Sequence, residues 1–176
     1  MSSQDPPELD PAELLGTFIR HEVAFVAVGG FGALLLGARR ATKDIDLCVE
    51  WSDENLERVA SALRELDARL KVDPSYIEVP IDATLLARME VATWRTRCGD
   101  VDVLLGIPRS ARWDLARYGD LRERAELIEL GHLVVPVAAL QDIIRSKEIS
   151  DRPADRDALP ELLRLRDDPS PDDDRG

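Results

Sequence analysis

Lysine is scarce in this 176-residue chain: only Lys43, Lys71 and Lys147 among 23 basic residues. Where arginine is otherwise preferred, each lysine marks a place suited to a compact point charge or a titratable amine. Cysteine is scarcer, with Cys48 and Cys98 far apart and in no CxxC pair. A zinc site or a structural disulfide is therefore not expected, and a buried free thiol is. The two histidines, His21 and His132, have no partner at ligand spacing and receive no catalytic role. No apolar run is long enough to span a bilayer, so no membrane partner is expected. The first ten residues, MSSQDPPELD, are polar and acidic without a signal-like apolar core, and the expected location is cytoplasmic. Internal repeats are absent.

What is present describes an ordinary globular chain, 44% hydrophobic and 33% charged. The length suits one domain with a real core, with room for a small helical appendage. The net charge is −12, which disfavours nucleic acid as a partner. The two ends account for more than half of it: residues 167–176 carry five aspartates against Arg175, and residues 1–10 carry three acids. Local patches must decide. The expected organisation is a disordered N-terminus over 1–10, a core over 11–135, a helical element over 136–166 completing the site, and a disordered acidic tail over 167–176.

Residues 26–49 organise the rest. Val23 to Val28 is an apolar run suited to a strand buried on both faces. Gly29 and Gly30 end it, Phe31 to Gly37 reads as a buried helix, and Arg39, Arg40, Thr42 and Lys43 form a basic, hydroxyl-bearing bend. Asp44 to Glu50 is a second strand, with Ile45, Leu47 and Val49 on one face and Asp44, Asp46 and Cys48 on the other. A strand running through Gly-Gly into a helix lets backbone N–H groups approach phosphate. No Gly-Lys-Ser/Thr follows, and the third glycine of a dinucleotide fingerprint is missing. Asp44 and Asp46, two apart on a strand, converge on one spot, where like charges are tolerated when exposed or bridged by a cation. Mg²⁺, with Mn²⁺ as second choice, suits one or two carboxylates plus the phosphates of an NTP. A third carboxylate is expected from GDVDVLL: Asp102, flanked by Val101 and Val103, as metal ligand and acceptor of the nucleophile's proton, with Asp100 as the fallback and otherwise a solvated turn residue. Thr42, two before Asp44, should lie on the site side.

Elsewhere, Pro11 after Asp10 opens a helix ending near His21, and Ser52 caps another running to about Leu70. Tyr76–Val79, Leu85–Met89 and Val91–Cys98 read as strands, the last pairing with Val101–Leu105. Ala111–Tyr118 suggests a helical turn or two, and Ala125–Leu130 with Leu133–Val135 a hairpin. Pro136 starts a helix to Ile149, and Asp151–Arg166 is helical with a kink or break at Pro160. The fold class is α/β (α+β), a mixed central sheet flanked by helices.

VGGFGALLLGARRATKDIDL resembles the motif of the DNA-polymerase-β-type nucleotidyltransferase superfamily, and within it the bacterial AbiEii/MenT-type nucleotidyltransferase toxins. The resemblance rests on Gly29, Gly30, Gly37, Arg40, Thr42, Asp44, Ile45 and Asp46, on GDVDVLL, and on Lys147 followed by Arg152, Pro153 and Asp155. It implies a nucleotidyltransferase fold that moves a nucleoside monophosphate from an NTP to an acceptor with Mg²⁺. In it Lys147 contacts the triphosphate, Arg152 and Asp155 bind phosphate and organise the lysine, and Arg40 assists. It also implies a tRNA 3′ end or a protein as acceptor, the toxin role in a toxin–antitoxin pair, and a cognate antitoxin as partner. The short length and acidic balance depart from larger, basic tRNA-modifying relatives. An antibiotic nucleotidyltransferase and a catalytically inactive regulatory module are the alternatives.

Overall fold

The computed structural model describes residues 7–168. Residues 1–6 and 169–176 of the ends expected to be disordered lie outside that range. Within the first end Leu9 and Asp10 are tied down, since Asp10 N donates to the Cys98 carbonyl at 2.9 Å and Leu9 packs on the core, and Asp167 of the second ends the last helix.

An eight-stranded mixed sheet in the order β4-β3-β5-β6-β2-β1-β10-β9 forms the frame. Its strands are β1 (Phe25–Val28), β2 (Asp44–Val49), β3 (Arg69–Val72), β4 (Ser75–Ile77), β5 (Val91–Thr96), β6 (Gly99–Leu104), β9 (Glu126–Leu130) and β10 (Leu133–Val137). Each residue of β1 is buried, and successive side chains feed opposite layers. Phe25 and Ala27 join one core with Leu14, Phe18, Leu47, Leu63 and Trp94. That layer is built by α1 (Pro11–Arg20), α3 (Asp53–Glu65) and α4 (Ala83–Ala87). Val26 and Val28 join a smaller core with Cys48, Ile107, Leu121, Ile143 and Leu162. There α2 (Gly29–Leu35), the β7 (Gly106–Ala111)–β8 (Asp114–Arg117) hairpin, α5 (Tyr118–Glu123), α6 (Leu140–Ser150) and α7 (Pro153–Asp167) cover the β1–β2–β10 half. The two-layer arrangement follows from apolar strands that alternate between both faces. Among the described residues no helix is long and apolar enough to cross a membrane.

The helix starts follow local chemistry. Asp10 accepts from Glu13 N, and Ser52 from Asn55 N. Several expected elements differ. The helix after Ser52 stops at Glu65 because Asp67 turns left-handed (φ 54°), releasing Arg69–Val72 as a strand. Leu85–Met89 is not a strand: Asp82 accepts from Leu85 N at 2.7 Å and caps α4. Ala111–Tyr118 is the turn and second strand of a hairpin, closed across the strands by Arg109 and Asp114. Pro136 does not start a helix. It belongs to β10, whose pairing with β1 is reached only at Val137, and α6 begins at Leu140. α7 runs unbroken through Pro160, which is exposed, so the carbonyl it leaves without a donor faces water.

Candidate active site

β2 and β6 are parallel neighbours in the register Asp44↔Asp100 and Asp46↔Asp102. All four carboxylates therefore lie on one sheet face. Antiparallel β5 sets Thr93 opposite Asp102 and Arg95 opposite Asp100. The four then separate by partner. Arg95 donates to Asp100 Oδ1 from Nε at 2.9 Å and Tyr76 OH lies 3.3 Å from Oδ2, so Asp100 is a paired structural residue and not a solvated turn. Thr42 Oγ1 donates to the Asp44 carbonyl at 2.9 Å, with Oδ1 at 3.2 Å. Asp46 and Asp102 stand side by side in register on the parallel β2–β6 pair, close enough that each carboxylate feels the other. Asp102 Oδ1 is buried, and among the described residues no hydrogen-bond partner reaches it.

Burial, then the charges of Asp102 and Asp44, push the Asp46 carboxyl up to about 8, against the pull of Lys147. Burial also raises Asp102, although the Thr93 hydroxyl opposes it. A carboxyl pair of this kind holds a proton when alone and releases it to a cation. Among the described residues no three Cys, His, Asp or Glu side chains form a complete metal cage. Hard oxygen donors with one orphaned buried oxygen nevertheless fit a hard divalent ion, which takes its remaining ligands from water and phosphate.

Gly29 adopts φ +62°, and a Cβ there would collide with the Asp46 carboxylate. Its identity is set by that contact as much as by the turn. Gly30 is different: a Cβ would meet Thr42 Oγ1 at 3.5 Å, an ordinary contact. Together they open α2, whose N-terminus has no side-chain cap, leaving backbone donors at that end for another acceptor.

Lys147 arrives from α6 and Arg152 from the N-cap of α7, and both converge on Asp155. The distances are 3.1 Å from Lys147 Nζ to Oδ1 and 2.8 Å from Arg152 Nε to Oδ2. Asp155 is 1% exposed. Burial works to raise it, but the hydrogen bonds from Arg152 and Lys147 win and hold it below the usual carboxylate range. Asp155 thus positions two cations beside Asp46 and Asp102. Arg40 stands apart: it is exposed, and its one ion pair among the described residues is with Asp157, at 4.0 Å.

Two clefts meet at these groups, and both are lined by Gly30, Asp46, Asp102, Lys147, Arg152 and Asp155. One, about 440 Å³, extends along Arg40, Thr42, Lys43 and Asp44. The other, about 420 Å³, extends along Val91, Leu104, the β7–β8 hairpin and α6. All residues expected in the site are brought together, with Arg40 on the outer rim and Asp100 withdrawn. Sequence reasoning did not include Thr93, Arg112 and Lys43. The first two depend on strand register and on a hairpin read as helix; Lys43 was visible as one of three lysines.

No protein-family model and no curated protein sequence matches the chain. Solved structures do. A candidate nucleotidyltransferase (TM1012) from Thermotoga maritima superimposes with a TM-score of 0.55 at 15% identity, covering 91% of this chain and 98% of that one. The lincosamide antibiotic adenylyltransferase LnuA, solved with lincomycin, gives 0.56 at 14% identity, covering 89% and 98%. ANT(2″)-Ia, solved with adenylyl-2″-tobramycin, gives 0.52 at 14% identity, covering 88% and 85%. The chain therefore has the fold that these nucleotidyltransferases share.

Proposed function

We propose that the protein transfers a nucleoside monophosphate from an NTP to a hydroxyl of a macromolecular acceptor, a tRNA 3′ end or a protein. The observation that carries this reading is the junction of two clefts at Asp46 and Asp102, on strands in register and facing Lys147 and Arg152. Asp44, Asp46 and Asp102 would hold Mg²⁺, which steadies the triphosphate and the leaving group when bound. Lys147 and Arg152 neutralise phosphate charge, and Asp155 fixes them in place. Thr42 orients Asp44, and the backbone at Gly29 and Gly30 leaves room for phosphate oxygens. The helical pair α6–α7 completes the site. In this reading Asp102 takes the proton of the attacking hydroxyl.

The motif resemblance makes the toxin of an AbiEii/MenT-type toxin–antitoxin pair the biological role we favour, with a cognate antitoxin as partner. A second reading, adenylylation of a small antibiotic, draws support from the folds of LnuA and ANT(2″)-Ia. Incubation with each α-labelled NTP, Mg²⁺, and tRNA, cell extract or a drug panel separates them. A labelled macromolecule is expected, with all labelling lost in Asp46→Ala. Labelling of a drug alone removes the macromolecular reading, and full labelling by Asp46→Ala removes the site. Growth arrest on expression, relieved by a neighbouring gene, tests the toxin role.

A further inference from the structure

The cleft that runs under the β7–β8 hairpin has an apolar floor, Val91 and Leu104, and a wall shared by the hairpin and α6. Arg112 and Trp113 form the turn between Ala111 and Asp114. The Arg112 guanidinium lines the cleft and is fastened to the end of α6. Its Nη2 donates to the Ser150 carbonyl at 3.0 Å and its Nε to the Ile149 carbonyl at 3.4 Å. Carbonyls orient it, and the neighbouring Asp151, whose carboxylate feels the Arg112 charge, is itself paired with Arg156 at 2.6 Å. Trp113 is 85% exposed, although an indole of its size contributes most when buried. Val91, on the floor, is also 62% exposed.

Charge points the same way. Residues 106–125 hold five arginines against three acids, in a chain of net charge −12. The carboxylates lining this cleft are Asp46, Asp102 and Asp155, and Asp155 is occupied by Lys147 and Arg152. Among the described residues that line it, no further carboxylate is there to attract a polycation. A free indole next to an anchored guanidinium, in the basic part of an acidic protein, fits a planar base next to a phosphate.

We propose that the Arg112–Trp113 turn is the acceptor-binding element and that it takes the single-stranded end of a nucleic acid. Trp113 stacks on a base and Arg112 faces a phosphate, presenting the terminal ribose hydroxyl to Asp102. This rests on the nucleotidyl-transfer reading above. In the transfer, the hydroxyl oxygen bonds to the α-phosphorus of the NTP. The bond from that phosphorus to the bridging oxygen breaks, pyrophosphate leaves, and the hydroxyl proton passes to the Asp102 carboxylate and on to water.

The test is fluorescence anisotropy of the full chain with a labelled single-stranded RNA of about 12 nucleotides, with NTP affinity measured on the same preparations. Trp113→Ala is expected to weaken RNA binding about 5- to 150-fold, the range for loss of one stacked base, and Trp113→Phe to restore most of it. Arg112→Ala should lower the salt slope of binding by about one. NTP affinity should be unchanged throughout. Equal RNA affinity in wild type and Trp113→Ala overturns the proposal. So does a wild type that ignores RNA while labelling a protein or a small hydroxylated compound. If RNA is held through Trp113 but no NTP binds, RNA binding by the turn stands and the nucleotidyl-transfer reading falls, taking the acceptor role with it.

Discussion

At Gly29 two requirements coincide: a left-handed φ of +62° and a face pressed against the Asp46 carboxylate. An alanine there suffers backbone strain of about 1–2 kcal/mol and also displaces the side chain on which the chemistry depends. Gly29→Ala is therefore expected to cost modest stability and most of the activity. Gly30→Ala, whose Cβ meets the Thr42 side chain at ordinary contact distance, should keep stability and turnover at saturating NTP and show its effect as a raised KM, because Gly30 lines both clefts. Thermal melts and NTP turnover of the two variants check this; equal losses in the pair would show that Asp46 does not need that approach. Asp155 offers a complementary case. Asp155→Asn removes the charge that holds Lys147 and Arg152, a loss of about 1–3 kcal/mol once the exposure of Arg152 is allowed for. The expected kinetic signature is a raised KM for NTP with Asp44, Asp46 and Asp102 untouched. An unchanged KM would mean that the two cations are aimed by something else. Asp44 and Asp46 were legible in the sequence because strand alternation is a local fact, and Lys147 was marked by the motif resemblance, with which the scarcity of lysine agrees. Thr93 was not, since its contact with Asp102 exists only after β5 and β6 have paired.

Elements were legible in proportion to how locally they are specified. The caps at Asp10 and Ser52 and the alternation of β2 sit within a few residues of the elements they define. The β7–β8 hairpin does not: its segment IPRSARWDLAR takes its strand geometry from Arg109 gripping Asp114 across the pair and from docking on α6. Leu85–Met89 failed for the opposite reason, a short apolar run whose helical state is decided by one capping aspartate. Pro160 is the sharpest element-scale case, because α7 continues through it and its ring is carried on the exposed side. Pro160→Ala restores an N–H to the helix and removes the ring's crowding of the preceding turn. The expected result is a higher melting temperature with unchanged NTP affinity, since Arg152 and Asp155 lie a turn or more towards the N-terminus. A lowered melting temperature would show that the Pro160 ring itself helps to hold α7 with Leu162 in the core.

For the molecule as a whole, the carboxylates paired with cations and the Asp46–Asp102 pair give stability opposite pH dependences. Asp114 and Asp155 sit below the ordinary carboxylate range because of arginine or lysine partners. What they contribute is present above the unfolded value and disappears only as pH falls through their lowered folded values. Asp46 runs the other way. Its unfolded value of 3.8 rises to about 8 on folding, so between these limits the folded state retains a proton that the unfolded state has released. That contribution is complete below the unfolded value and is lost as pH rises through about 8, at up to about 1.4 kcal/mol per pH unit for one proton. Without divalent metal, the protein is therefore expected to melt at progressively lower temperature from pH 5 to pH 8. Mg²⁺ competes for the deprotonated pair, so its stabilisation should be larger at pH 8 than at pH 5. Asp46→Asn removes the titrating group and should flatten the metal-free profile. Scanning calorimetry with and without Mg²⁺ reads all three, and a metal-free melting temperature that rises across this range would overturn the assignment of a shared proton to Asp46 and Asp102.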